Sequence, residues 1–471
     1  MSEFGGSTGG SKPQTAGGRD RFSSAFGAVL TAAGSAVGLG NIWGFPYMTG
    51  KNGGGAFVII YVLAVIVIGV PLMMSEFVIG NRGQRNVVGS MKEITPRSPL
   101  RHGGWIGLVA AFLVLGFYGV VAGWSLANFF RALIGGFNGL DSEAIGAQFG
   151  GFIEGYAPVF WHFVFMAGTA AIVVAGVKNG IERFAKLMMP LLFGILLVLA
   201  VYGTVALDGS GAGWAFLFQP DWSAVTWTTV AIAIGAAFFS LGVGIGVMVT
   251  IGSYMSRGSN IARTAVQVSM TDTLVAIIAG IAIFPAVFAL GFEPTSSSGL
   301  AFVTVPAVLQ LFPGGVVVSY LFTLLFFLLL SVAAFTSSVT TLELVVAYFT
   351  EERGTGRRRT SLAVSGAMFL IGIPCALSVG AVPELAIAGI PFVWFLVEFL
   401  EAFILPLGGI VFTLYVGWAM KKEEVREILS GGEATPWYFG AYYGMVKFVI
   451  PIAVLIVLVR TANEYFFHLS G

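Results

Sequence analysis

The sequence predicts an all-α polytopic membrane protein, and three observations carry that prediction. Of 471 residues, 57% are hydrophobic and only 10% charged. The mean hydropathy is +0.90, and apolar runs of about 20 residues, the length that crosses a bilayer core, recur along the chain. The single cysteine, Cys375, rules out an intrachain disulfide and a Cys-based metal site, and its apolar setting reads as a buried, inert thiol. A net charge of +1 argues against a nucleic-acid partner.

Residues 1–18 are rich in Gly, Ser and Thr and read as a disordered cytoplasmic tail. Eleven spans follow: 24–46, 55–80, 104–134, 158–177, 181–206, 224–255, 261–291, 314–349, 360–379, 389–419 and 436–459. Residues 460–471 read as an extracellular tail. The segment 300–312 lies between prolines yet is apolar enough to pack back into the protein. If the N-terminus and every second connection share one side, that side holds twenty of the 24 Lys and Arg residues. This asymmetry orients the chain in the plasma (inner) membrane with its N-terminus cytoplasmic and its C-terminus extracytoplasmic. The basic run at 353–359 then reads as a cytoplasmic anchor beside anionic lipid.

The first span is too weak for its setting. Between Ala33 and Pro46 it carries Gly34, Gly38, Gly40 and Gly44 with Asn41. Glycine costs the most backbone entropy in a helix and proline lacks a donor, so the helix is weakened at mid-membrane, where unpaired backbone groups are costly. A related stretch, Gly242 to Gly246, lies in the sixth span. An offset of five spans reverses direction, so residues 19–206 and 224–419 read as two inverted five-helix repeats, with the eleventh helix outside them. Interrupted helices at corresponding positions of inverted halves point to a midplane binding site.

The motifs carry a resemblance. G-S-A-V-G-L-G-N-I-W-x-F-P-Y from Gly34, N-G-G-G-A-F from Asn52 and P-L-M-M-S-E from Pro71 come first. Y-G-V-V-A-G-W from Tyr118, N-G-I-E-R from Asn179, F-F-S-L-G-V-G from Phe238 and F-T-S-S from Phe335 follow in order. Together they resemble the neurotransmitter:sodium symporter family, whose bacterial members include amino-acid transporters similar to the leucine transporter. The resemblance implies that family's fold, with spans 1 and 6 unwound at mid-membrane.

It also implies a site. Ala36, Leu39, Gly40, Val114, Tyr118, Phe239, Ser240, Gly242, Ile245, Ser337 and Thr341 would bind substrate, with the Tyr118 hydroxyl on its carboxylate. One sodium ion would be held by Ala36, Asn41, Ser240 and Asp272 with that carboxylate. A second would be held by Gly34, Val37, Ala333, Thr336 and Ser337. Glu76 would brace the broken sixth span, and Arg19 with Glu351 would close the cytoplasmic mouth. Amine transporters of the family resemble one another in an Asp where this chain has Gly38, so the implied substrate brings its own carboxylate. Gly242 and Thr341 imply a roomy pocket for an apolar or aromatic amino acid. Asp272, an intramembrane acid, supplies fixed negative charge where chloride-dependent relatives use an anion. Chloride is therefore not expected, nor is an organic cofactor. Gly44 stands where the family has its gating arginine, so that arginine's pairing with Glu398 or Glu401 is lost.

The resemblance implies a sodium-coupled symporter that imports an amino acid by alternating access, in a lipid bilayer, as a monomer or weak dimer. It is not an enzyme: His102, His162 and His468 are scattered near span ends and converge with no nucleophile. A non-transporting amino-acid sensor or a ligand-gated channel on the same fold stays open.

Overall fold

The computed structural model describes residues 21–292, 299–431 and 434–469, with side chains to Asn463. The expected tail 1–18, Arg19 and the His468 side chain lie outside the described residues. The main helices are α1 (Ala25–Ala36), α2 (Gly40–Lys51), α3 (Gly55–Gly83), α4 (Pro99–Leu133), α5 (Ala157–Val174), α6 (Val177–Val205), α7 (Trp227–Leu241), α8 (Val247–Tyr254) and α9 (Ile261–Ala289). Then come α10 (Leu300–Gln310), α11 (Gly315–Glu352), α12 (Arg357–Leu377), α13 (Phe392–Ala419) and α14 (Phe439–Asn463). Among the described residues nine helices are long and apolar enough to cross a membrane, and ten if the pair α1–α2, bent by 51°, counts as one span. The expected count of eleven is reached only by taking α7 and α8 together as one more. The last helix runs on to Leu469, so residues 460–469, expected as a tail, continue it.

Proline sets much of the local geometry. Among the described residues seven π-helical turns interrupt the helices, and five of them, beginning at Gly40, Val65, Leu300, Leu400 and Met445, end two residues before a proline. A proline ring has no N–H and collides with the carbonyl four residues back, and widening the preceding turn to i→i+5 bonding relieves both. In each of the five, the residue before the proline donates to the first carbonyl of the turn. The spans therefore stay continuous where the sequence would otherwise break them.

The enclosed helices surround the two breaks. In α4, 78% of the apolar window is buried, against 33% in α14. The fold-back segment α10 does pack inward: Phe302 stacks on Phe149 at 5.1 Å and meets Trp43 and Trp124 edge-on.

Candidate functional site

Two interrupted helices face each other at the centre, and their glycines do different work. Gly242, Gly244 and Gly246 all have positive φ, at 61°, 86° and 79°. The chain between α7 and α8 is thus left-handed at alternate residues, which only glycine adopts without strain. At the α1–α2 break the need is space. A Cβ on Gly38 would lie 2.6 Å from Ser337 Oγ and 2.8 Å from the Tyr118 hydroxyl.

A buried polar cluster ties the breaks together. Asn41 Nδ2 donates to Asp272 Oδ1 at 2.7 Å and to Ser240 Oγ at 2.9 Å, and its Oδ1 accepts from the Gly38 amide at 2.9 Å. Ser240 Oγ donates to Asp272 Oδ2 at 2.8 Å, and Tyr61 donates to Ser240 Oγ at 3.0 Å. Asn41, Tyr61 and Asp272 are fully buried. Asp272 therefore has neutral donors around it, and none of the cation pairs formed among the described residues involves it.

A second oxygen cluster lies where α1 ends. The Val37 carbonyl accepts from Thr336 Oγ1 at 3.4 Å and Ser337 Oγ at 3.2 Å, and the Ala333 carbonyl accepts from the same hydroxyls at 2.9 and 3.3 Å. Gly34 packs on Thr336, whose Cβ a side chain there would touch at 3.4 Å. Carbonyl and hydroxyl oxygens without a thiolate or imidazole are what a hard cation takes. Among the described residues no group of three or more His, Cys, Asp or Glu could hold a metal.

Nine of the eleven expected substrate residues line one cavity of ≈ 50 Å³: Ala36, Gly40, Val114, Tyr118, Phe239, Gly242, Ile245, Ser337 and Thr341. Leu39 and Ser240 instead line a larger cavity of ≈ 360 Å³ that shares Gly40, Tyr118 and Phe239 with the first. The reason is physical: the Leu39 amide is turned onto the Tyr118 hydroxyl at 3.1 Å, and the Ser240 hydroxyl is committed to Asp272. Ser35, Leu115 and Leu405 also line the small cavity. Ser35 stood inside the opening motif, whereas Leu405 comes from α13 with no local signal. The small cavity is tighter than the ~150 Å³ that takes up benzene, so an aromatic side chain requires it to widen. Gly242 faces open space, so widening has somewhere to begin.

Glu76 reaches the second break. Its Oε1 accepts from the Gly244 amide at 2.6 Å, while Arg82 pairs with Glu424 instead. Glu351 accepts from the Asn86 amide at 2.7 Å and Nδ2 at 3.0 Å; the pairing expected for Arg19 lies outside the described residues. On the same side lies an unanticipated network. Glu343, 2% exposed, accepts from both terminal guanidinium nitrogens of Arg357 at 3.1 and 2.5 Å and from the Tyr254 hydroxyl at 2.6 Å. Phe22 packs edge-on against Tyr254, and Ser23 bonds Glu182. Arg357→Ala strands a buried carboxylate, a change that typically costs ~3–5 kcal/mol. A clear loss of thermal stability in detergent is expected, and Arg358→Ala, at an exposed neighbour, is the control.

In the larger cavity Gly44 faces Glu398 and Glu401 beside Trp43 and Trp394. No cation pairs with either acid among the described residues, and Gly44 has nothing within 4 Å of a built Cβ.

Comparisons with known proteins agree with this architecture. The model of the sodium:neurotransmitter symporter family matches residues 19–137 and 152–468. An uncharacterized sodium-dependent transporter of Bacillus subtilis, YhdH, is 38% identical over 93% of this chain and 97% of its own. One from Haemophilus influenzae is 32% identical over 94% and 98%. Among solved structures, that of MhsT in complex with L-phenylalanine superposes with a TM-score of 0.88 at 40% identity, covering 94% of this chain and all of that one. The broken helices and their oxygen clusters thus sit in a chain that belongs to the sodium:neurotransmitter symporter family, a multi-pass, sodium-dependent symporter and not an enzyme.

Proposed function

We propose that this symporter carries an amino acid with an apolar or aromatic side chain, together with two sodium ions and without chloride, by alternating access. The observation that carries the reading is at Gly38. It has no side chain and no room for one between Tyr118 and Ser337. The carboxylate facing the Tyr118 hydroxyl must then come from the substrate. MhsT, similar over nearly the whole chain, was solved with L-phenylalanine, which supports an amino acid of that kind.

Sodium enters as cargo. Ala36, Asn41, Ser240 and Asp272 suit one ion, with the substrate carboxylate completing its shell. A buried carboxylate without a cation is costly, and an ion there removes that cost. Gly34, Val37, Ala333, Thr336 and Ser337 suit the second, a reading supported by the four neutral oxygens of Val37, Ala333, Thr336 and Ser337 that meet there. The chloride reading rests on donors: by the family resemblance an anion would sit near Tyr61, Ala236, Ser240 and Ala276, but the Tyr61 hydroxyl is turned onto Ser240 and Asp272, the Ser240 hydroxyl onto Asp272, and the two alanines have no side-chain donor. Replacing chloride with gluconate at constant sodium is expected to leave uptake unchanged, and a loss of uptake would contradict it.

Closure toward the outside rests on Tyr118 and Phe239, which with Gly40 line both cavities. Closure toward the N-terminal, cytoplasmic side rests on Glu343 and Arg357, with Arg19 and Glu351 assigned there by the family pattern. Glu76 braces the second break. Residues 19–206 and 224–419 form the two inverted repeats, and the chain works in the plasma membrane as a monomer or weak dimer with its C-terminus outside. Gly44→Arg fills open space beside Glu398 and Glu401. It is expected to slow substrate release about two- to fivefold, the scale of a partly exposed ion pair, measured by isotope dilution. Unchanged release would exclude an outer gate at this position.

The test of the function is uptake into proteoliposomes under an inward sodium gradient. Saturable accumulation that gramicidin collapses is expected. Flux without accumulation means a channel, and binding without flux means a sensor.

A further inference from the structure

A concavity larger than the substrate site lies away from it. A groove of ≈ 1210 Å³ runs between α1, α3 and α9 on the surface that meets the bilayer. Its walls are stripes at helical spacing. From α1 come Ala25, Phe26, Val29 and Leu30, and from α3 come Val62, Val65, Ile66 and Val70. Several of these side chains stand open, Phe26 at 67% and Ile66 at 57%, with Met270 of α9 at 67%.

Among the described residues the charge along α9 sits at one end of the groove, where Arg263 lies with Ser259, Asn260 and Gln267; beyond it Met270, Leu274 and Ile277 supply the apolar wall, interleaved with Ser269, Thr271 and Thr273. Among the described residues no Asp or Glu lines the groove. Asp272, though on the same helix, is fully buried on the opposite face against Asn41. The Arg263 guanidinium makes no ion pair or hydrogen bond among the described residues. From Arg263 to Ile277 is 14 residues, or about 21 Å at 1.5 Å per residue. That exceeds the ~15 Å half-thickness of a ~30 Å hydrocarbon core. A cationic head beside a channel of one-leaflet length matches a molecule with an anionic headgroup and one long tail.

We propose that this groove holds an anionic phospholipid from the leaflet on the N-terminal side of the membrane, its phosphate on Arg263 and an acyl chain between α1, α3 and α9. The charge selects the lipid: a single unpaired guanidinium with amide and hydroxyl neighbours takes a phosphate that keeps net negative charge over a zwitterionic headgroup. The tail packs against α1, the half-helix whose last carbonyls belong to the oxygen cluster at Val37. Lipid occupancy and the position of α1 are therefore coupled through direct contact. The proposal rests on membrane embedding alone and is independent of which substrate is carried.

Native mass spectrometry of the full chain, released from nanodiscs of phosphatidylcholine with phosphatidylglycerol, tests it. The wild type is expected to retain one phosphatidylglycerol and no matching phosphatidylcholine. Arg263→Gln and the groove-filling, lipid-facing Leu274→Trp are each expected to weaken retention about tenfold, with Arg359→Gln unchanged. Equal retention of phosphatidylcholine, or equal loss in Arg359→Gln, overturns the proposal. If a variant fails to fold, the wild type decides. Phosphatidylglycerol carrying a diazirine in its tail must crosslink to residues 25–30, 62–70 and 259–277, and crosslinks confined to other surfaces overturn it.

Discussion

Gly38→Ala is expected to weaken substrate binding by about two to four orders of magnitude while leaving the protein folded. Its Cβ would approach Ser337 Oγ at 2.6 Å and the Tyr118 hydroxyl at 2.8 Å, distances that real Cβ atoms essentially never show. One of the two must move. Each serves the centre, Ser337 through the Val37 carbonyl and Tyr118 through the Leu39 amide. Overpacking costs ~1–3 kcal/mol, and a displaced hydrogen bond to a charged carboxylate costs a further ~1.5–3 kcal/mol. The sum corresponds to a loss of about 10²–10⁴ in affinity. Equilibrium binding of labelled L-phenylalanine, with the melting temperature as a folding control, checks it. Near-normal affinity in a folded Gly38→Ala protein would remove the argument that the substrate supplies the carboxylate at this point.

Asp272→Asn is expected to raise the half-saturating sodium concentration about 10- to 100-fold. The variant keeps a side-chain oxygen and nearly the same shape, so what is lost is charge. A pair of unit charges 4 Å apart gains ~4 kcal/mol at an effective dielectric of 20. The retained carbonyl oxygen offsets part of that. The new amide also brings donors toward Asn41 Nδ2 and Ser240 Oγ, which now donate to Asp272, so the amide must rotate or lose a bond. The effect falls on sodium first, and saturating sodium is expected to restore most substrate binding. An unchanged sodium titration would mean that Asp272 serves the fold alone, through its bonds to the two breaks.

Much of this arrangement was legible in the sequence, for identifiable reasons. A Gly, Asn and Pro cluster inside a span has no place in an uninterrupted helix, so the α1–α2 break announced itself. Gly242, Gly244 and Gly246 did the same for α7–α8, and their positive φ values are the physical content of that spacing. Ala333, Thr336 and Ser337 share a helical face and do meet Val37.

Other features depend on distant pairing that no local pattern encodes. Glu343 and Arg357 are 14 residues apart on successive helices, and only their packing beside Tyr254 turns them into a closed network. Leu405 reaches the substrate cavity from α13 because that helix crosses there. The family pattern places Ser240 on substrate as well as sodium, yet its hydroxyl donates to Asp272 and the residue does not line the small cavity. The π-helical turns lie between these cases. Each proline was visible, but the widened turn before it follows from the clash it relieves rather than from any residue in the turn.

The central claim is that sodium and substrate share the broken centre. It is tested most directly by binding of the twenty amino acids, one at a time, to the purified chain in sodium and in potassium. The account predicts saturable binding of apolar or aromatic amino acids in sodium, with affinity rising as sodium is raised, and none in potassium. Equal binding in both cations, or no binding of any amino acid in sodium, would contradict it.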